Sequence, residues 1–237
     1  MAQLFITNFE KEDQRILIKN SEISYKLKKV LRAEKSYIFF IQPPFFAYEK
    51  ESCKRYKVSL TKTDNDEITA KILHYEKFNI NYNNKWFLIP ILNNLSKMEL
   101  IVQKLSEIWI ENIIFWKSEY SQISYISQKR MQRFFKISLE GVQQSKWLFL
   151  PKIEFIEDLK KYLNKKNIIL FEKWYNKKTL SNWIQNDSYW IVWPEAGFSS
   201  KEKDIIDQQK ITKISLSSNI LKSETATIIG GRILQNL

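Results

Sequence analysis

Near residue 80 the hydrophobic rhythm of the chain changes, from short runs with the alternation of half-buried strands to apolar strands separated by helix-period segments. A chain with such a break has two packing problems to solve, one for each rhythm. Before the break, residues 4–6, 37–41, 56–60 and 68–72 read as strands, parted by Pro43-Pro44 and by Asp64-Asn65-Asp66. They predict a small antiparallel barrel or sheet, with a helical turn of basic face at residues 25–32. After the break, residues 86–91, 113–115, 168–171, 189–192 and 211–216 read as buried strands. Met98, Ile101, Val102 and Leu105 fall on one helix face, with Ser96 and Glu99 as its capping box. Met131, Phe134, Phe135, Ser138 and Val142 mark a second helix, residues 155–163 a third, and residues 224–234 a closing one; Ser199 with Glu202 forms another capping box. This alternation predicts a parallel α/β sheet. The polar stretch 79–84 divides the chain into domains 1–79 and 80–237.

Composition removes several kinds of chemistry. One cysteine, Cys53, and one histidine, His74, leave nothing for an internal disulfide, a zinc cluster or a Ser-His-Asp site, so no metal is expected. No apolar run approaches the roughly 20 residues of a spanning helix, and the start lacks a basic segment followed by an apolar stretch. A cytoplasmic protein without membrane contact is expected. The net charge of +12 favours encounter with polyanions. Abundant Ile, Asn and Lys with scarce Gly is also what AT-rich coding produces, so charge alone leaves nucleic-acid binding and compositional bias both open.

Two segments carry further information: Trp193-Pro194-Glu195-Ala196-Gly197-Phe198-Ser199 after one strand, and Leu216-Ser217-Ser218-Asn219-Ile220-Leu221-Lys222-Ser223-Glu224-Thr225-Ala226 after the next. Ligands on open α/β sheets bind at such carboxyl ends of strands. With Gln103-Lys104-Leu105-Ser106-Glu107, Glu140-Gly141-Val142-Gln143-Gln144-Ser145 and Lys29-Val30-Leu31-Arg32, these segments resemble, in order and spacing over nearly the whole chain, the RsmE family of knotted RNA methyltransferases.

The resemblance implies a PUA-like β-barrel followed by a SPOUT methylase domain with a trefoil knot, usually a homodimer. It implies methylation of uridine N3 in small-subunit (16S) ribosomal RNA, free or in the assembled subunit, with S-adenosylmethionine as cofactor. On it, Pro194, Glu195, Ala196, Gly197, Leu216, Ser217, Ile220, Leu221 and Thr225 are candidates to enclose the cofactor. Glu224 or Glu195 is the candidate to accept a hydrogen bond from the cofactor or the N3 proton, and Lys222 to offset charge on the uracil oxygens. Lys26, Lys28, Lys29, Arg32, Gln103, Lys104 and Gln144 are candidate RNA contacts. Each has a plainer alternative, as a helix-start carboxylate or a solvated helix face. Two other functions stay open: an RNA-binding relative without a cofactor pocket, and a knotted methylase acting on another RNA.

Trp109, Trp193, Ala196 and Ser217 stand where the family has glycine, Lys222 where it has arginine, and Tyr120 and Trp147 where arginine is expected. The chain has 8 tryptophans against 4 glycines, an inversion of ordinary usage. A UGA glycine codon read as tryptophan would leave this pattern, and UGG codons at both Trp109 and Trp193 would exclude it.

Overall fold

The computed structural model describes residues 3–46, 52–79, 85–172, 188–209 and 211–235. The chain divides into two compact units, Met1–Asn81 with Gln143–Phe149, and Tyr82–Val142 with Leu150–Leu237.

In the first unit, β1 (Leu4–Ile6), β2 (Glu10–Glu12), β3 (Arg15–Lys19), β4 (Ile38–Gln42), β5 (Cys53–Thr63) and β6 (Glu67–Phe78) form one sheet in the order β1-β4-β5-β6-β3-β2. Every pair is antiparallel except β1 with β4. Alternation does its expected work: Ile16 and Ile18 of β3 and Phe39 and Ile41 of β4 point into the core with Phe5 and Val58. Between β3 and β4, α1 (Ser21–Tyr25) begins at Asn20, whose side chain accepts from the Ile23 N–H, and runs into a π-helical turn, Lys26–Val30. The segment 143–149 is pinned to this sheet by two buried-side polar groups. Gln42 Nε2 donates to the Leu148 carbonyl at 2.7 Å, and the Arg55 guanidinium donates to Gln42 Oε1 and to the carbonyls of Lys146 and Trp147 at 2.7–2.9 Å.

The second unit contains β7 (Trp86–Pro90), α2 (Leu95–Glu107), β8 (Asn112–Trp116), α3 (Gln128–Ser145, its last turn in the first unit), β9 (Lys152–Ile156), α4 (Lys160–Leu163), β10 (Ile168–Phe171), β11 (Tyr189–Val192), α5 (Ser200–Asp207), β12 (Thr212–Ile214) and α6 (Ser223–Gln235). All six strands are parallel, in the order β12-β10-β11-β7-β8-β9. Successive residues of β7 and β8 serve opposite faces. Phe87, Ile89, Ile113 and Phe115 pack with α2 and α3, whereas Leu88, Ile114 and Trp116 pack with α4 and α5.

Two expectations need correction. Residues 155–163 are not one helix: Ile153 and Phe155 lean on one cluster and Ile156 on the other, so 152–156 is the edge strand β9, and only 160–163 is helical. The cap of α2 is Asn94, which accepts from the Ser96 N–H at 2.8 Å, while Glu99 pairs with Arg133 at 2.6 Å. The capping box of Ser199 and Glu202 is present.

Trp109 sits at φ +70°, immediately after α2. Its N–H donates to the Ser106 carbonyl and that of Ile110 to the Leu105 carbonyl, the paired bonds of a helix-ending turn whose left-handed residue is usually glycine. A bulky aromatic residue is an outlier there. No glycine signal survives in the sequence at this position, yet the turn has the geometry glycine favours.

Candidate functional site

Because the strands of the second sheet are parallel, all their carboxyl ends lie along one edge. The chain lays down β7, β8 and β9 outward, then returns to the other side of β7 with β11, β10 and β12. The order therefore reverses between β7 and β11, and the loops that follow β10, β11 and β12 gather on one side of that point. The loops after β11 and β12, with the end of β10, line a cleft. Phe171, Val192, Leu216, Leu221 and Ala226 give it apolar walls, and Glu172, Ser215, Ser217, Asn219 and Ser223 give it polar groups.

The loops are braced by their own polar atoms. Ser223 Oγ donates to the Trp193 carbonyl at 3.1 Å, joining the two loops across the cleft. Ser215 Oγ donates to the Ser217 carbonyl, and Ser217 Oγ accepts from the Asn219 N–H. The Gly197 N–H donates to the Pro194 carbonyl, closing a turn with Gly197 at φ +80°, a conformation that requires glycine's freedom. Trp193 borders the cleft, but its indole stands edge-on to Phe198 with ring centres 4.8 Å apart, packed against the cluster beneath α5.

Beside the cleft, Lys97 brings both loops together. It belongs to the first turn of α2, and its ammonium lies 2.6 Å from Glu195 Oε1 and 3.5 Å from Glu224 Oε1. The hydrogen bond to Glu195, reinforced by the charge of Glu224, raises the Lys97 pKa above the ordinary lysine range against the opposing effect of burial. The Glu224 side chain is only 13% exposed, and its Oε2 is buried without a hydrogen-bond partner among the described residues. Such an atom is an acceptor awaiting a donor. Sequence reading missed Lys97: an isolated lysine at a helix start has no local signature, and its Glu195 partner lies 98 residues away.

The other candidates are distributed as follows. Of the residues expected around the cofactor, Leu216, Ser217 and Leu221 line the cleft. Pro194 is buried in the turn, Glu195 binds Lys97, and Ala196, Ile220 and Thr225 are wholly or partly exposed beside the loops. Lys222 is exposed just before α6. Lys28 and Lys29 border an open groove with Tyr25 and Asn65; Lys26 stands over the Phe5 ring, and Arg32 is exposed. Gln103 is half-buried on α2, Lys104 pairs with Glu107 at 2.9 Å, and Gln144 is exposed. No group of three or more His, Cys, Asp or Glu side chains among the described residues is arranged to hold a metal ion. None of the described helices is long and apolar enough to cross a membrane.

Residues 82–235 match the RNA methyltransferase domain family. Ribosomal RNA small subunit methyltransferase E 1 of Borreliella burgdorferi is 37% identical over 136 residues, 54% of this chain and 57% of that protein. The methyltransferase E of Rickettsia conorii is 32% identical over 56% of each. These alignments thus span little more than half of either relative. The methyltransferase E of Mesomycoplasma hyopneumoniae is 27% identical over 96% of both chains. In fold, the chain is similar to the methyltransferase E of Neisseria gonorrhoeae solved with S-adenosyl methionine, with a TM-score of 0.80 at 20% identity over 100% of this chain and 98% of that one. A methyltransferase from Legionella pneumophila, solved with the cofactor, gives 0.79 at 20% identity with the same coverage.

Proposed function

The chain belongs to the RNA methyltransferase family, in its RsmE branch, and from that premise we propose that it methylates N3 of a uridine in small-subunit ribosomal RNA with S-adenosylmethionine. The observation that supports this most is the braced cleft beyond the carboxyl ends of β10, β11 and β12, with the partnerless Glu224 oxygen beside it. The lining suits the cofactor: apolar walls from Phe171, Leu216 and Leu221 for its flat and aliphatic parts, and serine and loop polar groups for its heteroatoms. When bound, S-adenosylmethionine supplies an electrophilic methyl group.

The protein's own task is to orient two ligands and remove one proton. In this reading the loops after β11 and β12 enclose the cofactor. The Glu224 carboxylate takes the N3 proton, freeing the nitrogen lone pair, and Lys222 offsets the negative charge that develops on the uracil oxygens. Lys26, Lys28, Lys29 and Arg32 hold RNA phosphates, with Gln103, Lys104 and Gln144 as further contacts. The closed PUA-like barrel, the trefoil knot, the division into domains 1–79 and 80–237, the homodimer and a cytoplasmic location belong to the same reading.

Titration calorimetry with S-adenosylmethionine tests it. The chain gives saturable heat, and Ala226→Trp, which fills the cleft, abolishes it. If neither the chain nor a Trp193→Gly variant gives heat, the cleft is not a cofactor site, and the RNA-binding relative without a cofactor is the better reading.

A further inference from the structure

Lys97 stands where its own helix disfavours it. The first turn of a helix carries partial positive charge, so a lysine there is unfavourable, and Asn94 already supplies the cap. What compensates lies outside the helix, in the two carboxylates from the loop after β11 and the first turn of α6. The Lys97 and Glu195 side chains are each 30% exposed and Glu224 only 13%, so the cluster is more shielded than an open surface pair. The lysine takes one oxygen of Glu224 and leaves the other buried and free of protein partners among the described residues.

We infer that Lys97 is a positioning residue: it latches the 194–197 turn to the start of α6 and fixes the Glu224 carboxylate beside the cleft. The inference rests on the proposed methyl transfer. Without the ammonium, Glu195 and Glu224 face each other as like charges, one of them largely buried, and both loop and carboxylate shift. A displacement near 1 Å is enough to reduce a positioned reaction by up to about 100-fold. The effect falls on turnover, because Lys97 acts through the Glu224 carboxylate.

The test uses the full chain with Lys97→Met, Lys97→Arg, Glu224→Gln and the Lys97→Met/Glu224→Gln pair. Thermal melting controls for folding. Three quantities are read: affinity for S-adenosylmethionine, kcat and KM for RNA methylation, and amide hydrogen exchange of residues 194–197 and 223–226. Lys97→Met lowers kcat by about 10- to 100-fold while KM for RNA changes little, and exchange in both segments speeds up. Lys97→Arg recovers most of the loss, and the double variant is no slower than Glu224→Gln alone, since the lysine acts through that carboxylate. Unchanged kcat with a lower melting temperature would reduce Lys97 to a structural ion pair, and losses that multiply in the double variant would separate it from Glu224. A chain that neither binds cofactor nor methylates RNA would refute the proposed function instead. The exchange measurement still decides the latch in that case, because unchanged exchange in Lys97→Met overturns it.

Discussion

Glu224→Gln lowers kcat for methylation by about 10²- to 10⁴-fold, the range lost when a positioned proton acceptor is removed, while S-adenosylmethionine still binds. Glutamine keeps the size and one acceptor oxygen of the carboxylate but cannot take a proton. The affected atom is identifiable: Oε1 faces Lys97, and Oε2 is the buried oxygen without a partner. If Glu224 were only a helix-start carboxylate stabilising α6, its replacement would lower the melting temperature slightly and leave turnover intact. Steady-state kinetics beside calorimetric cofactor affinity separates the two outcomes. Equal losses of affinity and turnover would mean that the residue shapes the cleft and does not serve the proton.

Gly230→Ala is expected to destabilise the protein and damage the cleft together. A β-carbon at this position would lie 2.3 and 2.5 Å from two ring atoms of Phe171 and 3.3 Å from Phe87, well inside contact distance. The Phe171 ring has little room to yield, since Phe87 and Trp190 pack against it with ring centres 5.9 and 5.4 Å away. Overpacking of this kind costs about 1–3 kcal/mol or more. For a chain of this length each kcal/mol lowers Tm by about 2–4 °C, so a fall of about 2–12 °C is expected. Phe171 also lines the cleft, so its displacement weakens cofactor binding as well. Scanning calorimetry and cofactor titration on the same sample check both effects. An unchanged Tm would mean that Gly230 does not approach the Phe171 ring as closely as these distances require.

Periodicity revealed the parallel sheet because its strands are buried on both faces and read as continuous apolar runs, such as residues 168–171. It was silent for β2 and β3, where Glu-Lys-Glu is wholly exposed and only Ile16 and Ile18 turn inward. It misread β9, because Ile153, Phe155 and Ile156 are spaced as well for a helix continuing to Leu163 as for a strand. Both loops of the cleft were legible as segments, since each follows a strand. Their mutual tie through Lys97 was not, because an ion pair between distant segments leaves no local periodicity. The order that sets β11, β10 and β12 side by side, and so gathers the cleft's loops, is likewise a tertiary fact. Trp109 is the inverse case. Sequence reading flagged it as an unexpected tryptophan, and its left-handed backbone supplies the physical reason glycine suits that turn.

The most direct measurement is incubation of small-subunit ribosomal RNA with the full chain and S-adenosylmethionine carrying an isotopically labelled methyl group, followed by mass spectrometry of the nucleosides. The account predicts labelled 3-methyluridine, strongly reduced with Glu224→Gln. Label in a different nucleoside, or none in RNA treated with folded, cofactor-binding protein, would contradict it.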